Sequence, residues 1–465
     1  MTAPHNLTIS EAGGLIAGRS ISVLELVEDT LDRIERTEPL VHAYALVLQE
    51  QARENARRLD RELGSGVYRG PLHGIPVGVK DLCYTKDIPT EAGSRALAGF
   101  VPTYDAAVVE RLRAAGAVII GKTVTHEFAY GVNVPPTRNA WEYEHYPGGS
   151  SAGSGVAVAM RSAFAAIGTD TGGSIREPAS LNGVTGLKPT FGLVSRFGVV
   201  PMSASLDHVG PIARTVQDCA MLLQVLAGYD ARDSGSIAAP PVDYTANLRE
   251  GVRGMTIGVE RGFSFGGGVW DGVKTVVEGV LAEMTGWGAR IVEVEMPTLD
   301  LMAAVGLAIL LPDAGAFHRR TLRERASDLD PATRVMFELG ELAPATHYVT
   351  ALRARSVLRN QMRALFETHH LDALLSPTVP TVAVLMDQVS WTDQTGEDPM
   401  TGAFRHMISA NITGQPALTV PCGFYAGLPV GFQLLGQPFG EATLFRLAGF
   451  YEGHHGWHAM TPNPL

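Results

Sequence analysis

Hydrophobic residues in the first 66 positions recur at the spacing of helices. Ser22 and Glu25 fit a capping box at a helix start. The apolar residues that follow form one stripe, made by Leu24, Val27, Leu31 and Ile34. A second, charged helix is predicted over 46–63, and Gly64-Ser65-Gly66 provides its stop. The chain therefore opens with helices.

From position 75 onward the pattern changes to short apolar runs that alternate with helical segments. Strands are predicted at 75–79, 117–120, 255–259 and 290–294, with helices between them at 107–115 and 269–285. This alternation is typical of sheets covered by helices. We therefore predict an α/β fold with a central mixed, mostly parallel β-sheet and helices on both faces.

The best internal boundary is the segment 229–253, which is rich in Asp, Pro, Ser and Ala. Core strands and turns return at 411–436, so we expect one large domain. Its predicted parts are N-terminal helices at 1–66, a catalytic core at 67–228, an internal connection at 229–253 and a second half at 254–465. Within that second half, 301–368 is helical and irregular in polarity, as is typical of a segment that covers a site.

Composition and charge narrow the classes of function. Of the 465 residues 45% are hydrophobic, which is enough for a large core. The net charge of −11 argues against a nucleic-acid surface, because such a surface needs clustered lysine and arginine. The N-terminus lacks an apolar signal segment, and the three cysteines are far apart. We expect a cytoplasmic protein with no membrane partner, no nucleic-acid partner and no metal site.

Two Gly/Ser-rich loops lie within 147–189, on either side of an apolar stretch at 155–167. Because that stretch must be buried, both loops are held at the ends of a rigid element. The second loop places two glycines before Ser174, so that successive backbone N–H groups can point at one place, as in an oxyanion hole. Asp170 and Arg176 flank this loop at a separation that lets them pair and hold its shape. Taken alone, the loop would more often be a tight turn with a solvated serine.

The letters of two widespread sequence motifs are also matched, but the residues in and around each match do not suit the structure that the motif requires. The segment 116–123 satisfies the P-loop pattern, but a β-branched strand occupies the positions between its glycines. The segment 149–153 satisfies the nucleophile-elbow pattern, which would make Ser151 the nucleophile. The preceding residues, 145–148, cannot form the strand that an elbow needs. We give both motifs little weight.

Lys80, the loop around Ser150 and the loop around Ser174 follow one another in an order that resembles the amidase signature family. The lysine motif is Gly74-Ile75-Pro76-Val77-Gly78-Val79-Lys80-Asp81, and further blocks that resemble the family lie at 121–123, 127–128, 183–190, 414–417 and 427–431. The resemblance covers nearly the whole chain in register. Three positions depart from the family pattern. Val124 stands where an asparagine is usual, Ala152 where a glycine is usual, and Glu177 where a small or apolar residue is usual.

The resemblance implies a serine hydrolase that uses neither metal nor cofactor. Ser174 is then the nucleophile, Ser150 a bridging serine beside a cis peptide bond, and Lys80 the base. The backbone N–H groups expected in the oxyanion hole are those of Thr171, Gly172, Gly173 and Ser174. Asp170 and Arg176 are expected to support the loop. The residues expected in the substrate pocket are Phe128, Gly149 and Ser151.

A lysine serves as a base only in its neutral form, whereas its usual pKa is about 10.4. Burial without a carboxylate partner lowers that pKa. Asp81 follows Lys80 directly, but on a strand its side chain points to the opposite face. We therefore expect Lys80 to be buried without an acidic partner.

The favoured function is a stand-alone amidase that hydrolyses the C–N bond of a small or aryl amide, with esters and carbamates as further substrates. An apolar run at 303–311 favours an apolar substrate. Its partners would be the amide and water, and a homodimer is a further expectation. The alternative is the glutamine-hydrolysing A subunit of a tRNA-dependent amidotransferase, which needs partner subunits. A catalytically idle binding protein is disfavoured, because it would not need Lys80, Ser150 and Ser174 together.

Overall fold

The computed structural model describes residues 3–130, 134–296, 299–389 and 399–462. Within these ranges one eleven-stranded β-sheet forms the centre, and fourteen α-helices accompany it. The strands are β1 (Tyr44–Val47), β2 (Pro76–Lys80), β3 (Val118–Thr123), β4 (Ala165–Asp170), β5 (Thr185–Lys188), β6 (His208–Ala213), β7 (Thr256–Val259), β8 (Arg290–Glu293), β9 (Ala373–Pro377), β10 (Ala417–Tyr425) and β11 (Leu428–Leu435). The helices are α1 (Ile9–Ala17), α2 (Val23–Val41), α3 (Gln49–Gly64), α4 (Ala107–Ala114), α5 (Ala152–Ala159), α6 (Arg176–Asn182), α7 (Val216–Leu226), α8 (Arg261–Ser264), α9 (Asp271–Gly286), α10 (Leu299–Arg325), α11 (Pro331–Leu342), α12 (Ala345–His369), α13 (Pro399–Thr413) and α14 (Glu441–Glu452).

The sheet is mixed, which confirms the predicted α/β fold. Its strand order is β1-β3-β2-β4-β6-β5-β10-β11-β9-β7-β8. Parallel pairs join β3 to β2, β2 to β4, β9 to β7 and β7 to β8. The other six of the ten pairs between these neighbours are antiparallel, so parallel pairing is less extensive than the sequence suggested. Parallel pairing concentrates at the α/β crossovers, where a helix returns the chain across the sheet.

The N-terminal helices follow the sequence pattern except at one boundary. Ser22 and Glu25 form the predicted capping box of α2, whose inner face is buried. The helix predicted over 46–63 begins only at Gln49. Leu46 belongs instead to β1, because its backbone lies opposite Lys122 in the antiparallel pair of β1 with β3. Its pairing partner is distant in sequence, so local periodicity could not place this short edge strand.

Helices α10, α11 and α12 account for the segment predicted as helical at 301–368. By length and composition alone, Leu301–Asp328 is the one helical segment of the described chain that could cross a membrane. In the structure α10 packs against α11, α12 and α13. Its side chains Ile309 and Leu310 are buried in a hydrophobic cluster with Phe337 and Ile408. The apolar run of α10 therefore serves packing between helices.

Two parallel strands bring the sequence motifs together. β2 ends at Lys80 and β4 ends at Asp170, and the two strands pair in parallel with Val79 opposite Ile167. Because parallel strands end at the same edge of a sheet, Lys80 lies beside the end of β4. The apolar stretch 155–167 is buried throughout, first in α5 and then in β4. It returns the chain from the Ser150 loop to the Ser174 loop.

Gly153 lies where the first turn of α5 meets the β1–β3 region. Its N–H donates to the carbonyl of Val124 at 3.0 Å, and a Cβ at this position would contact Ala43 O and Val124 N. We predict that Gly153→Ala lowers the free energy of unfolding by about 1–3 kcal/mol, because backbone atoms must shift to make room. Urea denaturation of the full chain measures this change.

The matched control is Gly14→Ala in α1, where no atom approaches an added Cβ within 4 Å. That variant should gain about 0.5–1 kcal/mol, because alanine favours a helix interior over glycine. Equal effects of the two substitutions would contradict the close approach at Gly153.

Candidate active site

Lys80 is fully buried within a cradle of three hydroxyl groups. Its Nζ lies 2.8 Å from Ser150 Oγ, 2.9 Å from Ser151 Oγ and 2.8 Å from Thr169 Oγ1. Ser151 Oγ also donates to the carbonyl of Thr169 at 3.1 Å. Since its own hydrogen is engaged there, Ser151 must accept a hydrogen from Lys80.

Within the described ranges no carboxylate forms an ion pair with Lys80. Asp81, the next residue, points to the other face of β2 and pairs there with Lys122 Nζ at 3.0 Å. Burial, the strongest influence, lowers the pKa of Lys80 to about 7, and Cys83, Asp170 and Asp207 act weakly in the opposite direction. A large fraction of Lys80 is therefore neutral near pH 7.

The two Gly/Ser-rich loops contact each other beside Lys80. The peptide bond between Gly149 and Ser150 is cis. Ser151 N donates to the carbonyl of Ser174 at 3.2 Å, and His126 N donates to the carbonyl of Ser150 at 3.2 Å. Ser150 is buried and Ser174 is partly exposed. Of the three residues predicted to act in catalysis, Lys80 and Ser150 are thus buried, and Ser174 is partly exposed to solvent.

The Asp170 carboxylate holds the loop that contains Ser174. Oδ1 accepts from Gly173 N at 2.8 Å, and Oδ2 accepts from Ile175 N at 3.2 Å. The expectation that the Gly173 N–H is a free oxyanion donor is therefore wrong, because this N–H supports the loop. In the described part of the chain, three of the predicted N–H groups donate to no protein acceptor: those of Thr171, Gly172 and Ser174.

Asp170 and Arg176 form a buried, two-pronged ion pair. Nε and Nη2 of Arg176 donate to Oδ2 and Oδ1 of Asp170 at 3.0 and 3.1 Å. Burial would raise the pKa of the Asp170 carboxyl, but the Arg176 guanidinium holds it well below its usual range. The remaining guanidinium hydrogens bind α13 and β11 through Asn411, Gln433 and the carbonyl of Met407. This pair joins the Ser174 loop to the second half of the chain.

Of the three residues predicted to line the substrate pocket, two are buried in other contacts and one lies at the site. Ser151 is fully buried in the cradle of Lys80, so it does not face a pocket. Phe128 is buried with its ring 4.3 Å from that of His318 and 6.1 Å from that of Phe337, and it serves packing under α10 and α11. Gly149 lies at the site, and its N–H donates to a carboxylate oxygen of Glu177 at 3.1 Å.

Sequence reasoning missed Thr169 and Glu177 as members of the site. Thr169 lies in the apolar strand β4, next to its final residue, and a polar residue at that end of the strand was the available signal. Glu177 was noted only as a departure from the family pattern. Its contact with Gly149 depends on how two separate loops fold together, which no local pattern indicates.

No group of three or more His, Cys, Asp or Glu residues in the described chain is arranged to hold a metal ion. Residues 118–123 of the P-loop-like segment form β3, as the β-branched residues there indicate. Its lysine, Lys122, is buried against Asp81, Thr90 and the carbonyl of Cys83. These contacts leave the lysine no access to a bound phosphate.

Comparison with known proteins finds relatives that match this chain along nearly the whole length of both proteins. A family model described as Amidase matches residues 25–445. The chain is 39% identical to the A subunit of the glutamyl-tRNA(Gln) amidotransferase of Chloroflexus aggregans, over 100% of this chain and 99% of that protein. It is 40% identical to the protein of the same name from Anaeromyxobacter sp. strain K, over 98% of both chains.

Solved structures with similar folds include several hydrolases. A chain from a vestigial protein complex linked to the origins of an s-triazine catabolic enzyme has a TM-score of 0.91 and 31% identity, with 96% of this chain and 98% of that chain covered. The A subunit of the glutamyl-tRNA(Gln) amidotransferase of Thermotoga maritima has a TM-score of 0.84 and 32% identity, with 99% and 98% covered. A bacterial aryl acylamidase of the amidase signature family has a TM-score of 0.89 and 26% identity, with 97% and 96% covered.

These relatives correct the favoured function. A stand-alone amidase for small or aryl amides is the wrong prediction, because these curated relatives are each named as one subunit of a glutamyl-tRNA(Gln) amidotransferase. The expectation of a lone enzyme, with a homodimer as its one assembly, is wrong for the same reason, because these relatives are subunits of a multi-subunit enzyme. The apolar run at 303–311 gave no sound indication of the substrate, because Ile309 and Leu310 pack between helices.

The Asp170–Arg176 pair predicts a large loss of stability when one partner is removed. Arg176→Met leaves the Asp170 carboxylate buried without its cation, and we expect the free energy of unfolding to fall by about 3–5 kcal/mol. Urea denaturation at pH 7 measures the change, and the double variant Asp170→Asn with Arg176→Met should recover part of it. A loss below about 1 kcal/mol for the single variant would contradict a buried charge pair.

Proposed function

The chain belongs to the amidase signature family, whose hydrolases act on carbon–nitrogen bonds, and we propose that it hydrolyses the side-chain amide of glutamine as the A subunit of a tRNA-dependent amidotransferase. The observation that carries the proposal is the identity of 38–40% to proteins of that name along nearly the whole length of both chains. The hydroxyl cradle of Lys80 supports the chemistry, and it adjoins Ser174 because Ser151 N donates to the carbonyl of Ser174. We propose the cytoplasm as its location, which agrees with three buried cysteines that form no disulfide.

In the proposed mechanism neutral Lys80 is the general base. A neutral amine has two hydrogens and one lone pair. Ser151, whose own hydrogen is engaged, takes one hydrogen, and Thr169 takes the other. The lone pair then faces Ser150, which is the hydroxyl that can pass its proton to Lys80. Ser150 in turn receives the proton of Ser174 as the Ser174 oxygen attacks the amide carbon.

The negative charge that develops on the amide oxygen is stabilised by backbone N–H groups. We assign this role to Thr171, Gly172 and Ser174, whose N–H groups are free of protein acceptors in the described chain. The proton held by Lys80 returns through Ser150 to the leaving nitrogen, so that ammonia departs and an acyl-enzyme remains on Ser174. Water then attacks the ester, and the same relay accepts the proton of that water. Each N–H donor of this kind contributes about 10²–10³ in rate.

Loss of the relay should abolish glutamine hydrolysis. We expect Ser174→Ala and Lys80→Met each to lower kcat/KM for ammonia release by at least about 10³-fold, because each removes a group that acts on the reacting atoms. Ammonia release from glutamine is measured with the full chain, alone and with the other subunits of such an enzyme.

The matched control is Ser180→Ala in α6. Ser180 Oγ is buried and has no hydrogen-bond partner in the described chain, so this variant should keep wild-type turnover. If the assembled wild-type enzyme left glutamine intact while it hydrolysed other amides, the proposed substrate would be wrong. Wild-type turnover in Ser174→Ala would exclude the proposed nucleophile.

The acid limb of the pH profile should report Lys80. Protonation blocks the base, so kcat/KM should fall about tenfold for each pH unit below about 7 and reach a plateau above it. Lys80→Arg should be inactive across the range, because arginine stays protonated. A plateau that begins only near pH 10 would show that Lys80 keeps its usual pKa.

A further inference from the structure

Few residues of the two Gly/Ser-rich loops and the elements around them reach solvent. In the fully described stretch 146–190, every residue is buried except Gly172, Ser174, Glu177 and Gly183. Gly183 lies at the far end of α6, against Trp141 and Pro429. The other three lie together at the Ser174 loop. Apart from Gly183, the accessible surface of this region therefore belongs to Gly172, Ser174 and Glu177.

Glu177 lies on the same side of the chain as Ser174. Its N–H donates to the carbonyl of Gly173 at 2.8 Å, so a helical turn already spans these residues. Positions three apart on a helical turn are neighbours on one face. Ser174 and Glu177, both partly exposed, are therefore neighbours on this turn.

The carboxylate of Glu177 is only partly satisfied. Oε2 accepts from Gly149 N at 3.1 Å, whereas Oε1 has no protein partner in the described chain. Burial, with a smaller contribution from Asp170, raises the pKa of Glu177 to about 7, although the Gly149 N–H acts in the opposite direction. A poorly compensated carboxylate of this kind gains most from a cation or from several N–H donors.

We propose that Glu177 is a specificity-determining residue that binds a cationic amine on the substrate, next to the amide that Ser174 attacks. The inference rests on the proposed function, since free glutamine carries such an ammonium group. A small or apolar residue, which the family pattern favours here, could not make this contact. The substrate class is therefore primary amides whose acyl part carries a protonated amine.

The test compares two substrates on the same protein. Glutamine has a free ammonium group, whereas N-acetylglutamine has a neutral amide at that position. Glu177→Gln keeps an oxygen acceptor for Gly149 N and removes the charge. We expect this variant to lower kcat/KM for glutamine by roughly 10- to 100-fold, mainly through KM, because a charged hydrogen bond is lost. The value for N-acetylglutamine should change less than about threefold.

The control variant is Glu452→Gln. Glu452 is also a buried carboxylate that accepts a backbone N–H, from Val216 at 2.9 Å, and burial raises its pKa to about 8. It lies on α14, far along the chain from the Ser174 loop, and both substrates should keep wild-type values. Because the two amides are measured on one sample, a partial loss of folded protein in Glu177→Gln cancels from their ratio.

An equal fall in kcat/KM for both amides would show that Glu177 only supports the loops. An unchanged kcat/KM for both would show that Glu177 has no role. Each of these results would overturn the inference. If wild-type protein does not hydrolyse glutamine, the proposed function fails, and the pair 4-aminobutanamide and butanamide replaces the first pair. A loss in Glu177→Gln confined to the amine-bearing amide would still support the inference. Equal losses for this pair would overturn it.

Discussion

The absence of an acidic partner for Lys80, within the described chain, is the constraint on which the active site depends. A buried lysine surrounded by three hydroxyl groups has no ion pair to stabilise its ammonium form, and Asp170 and Asp207 act on it only weakly. Lowering its pKa from about 10.4 to about 7 corresponds to roughly 5 kcal/mol. Because the folded-state pKa lies below that of the unfolded chain, Lys80 makes folding least favourable below pH 7, and this penalty decreases as the pH rises toward 10.4. The rest of the fold must supply that free energy.

Two carboxylates near the relay are each paired with a cation. Asp81 pairs with Lys122 on the far side of β2, and Asp170 pairs with Arg176. These pairs keep negative charge away from Lys80, whose positive form it would favour. The second pair also fixes the loop whose backbone N–H groups we assign to the oxyanion hole, because the Asp170 carboxylate accepts from Gly173 N and Ile175 N in that loop. Structure and proposed chemistry thus rest on the same arrangement of buried charge.

Much of this arrangement could be predicted from sequence, and most of the wrong predictions concern contacts between distant segments. The position of Asp81 opposite Lys80 follows from the alternation of side chains along a strand. Spacing and glycines likewise indicated the Asp170–Arg176 pair. Gly173 was misjudged because Asp170, three residues earlier, accepts its N–H. The burial of Ser151 and the pairing of Leu46 with β3 are contacts between distant segments. Function was misjudged for the same reason, because an apolar run in α10 packs against other helices.

The titration of Lys80 itself is the decisive measurement for the proton relay. Lysine labelled with ¹³C at the ε position reports protonation by NMR, and Lys80→Met identifies the resonance by its absence. A neutral base requires one lysine that titrates near pH 7 in the folded protein. A Lys80 resonance that titrates near pH 10.4 would contradict a neutral base at physiological pH, and with it the proposed proton relay.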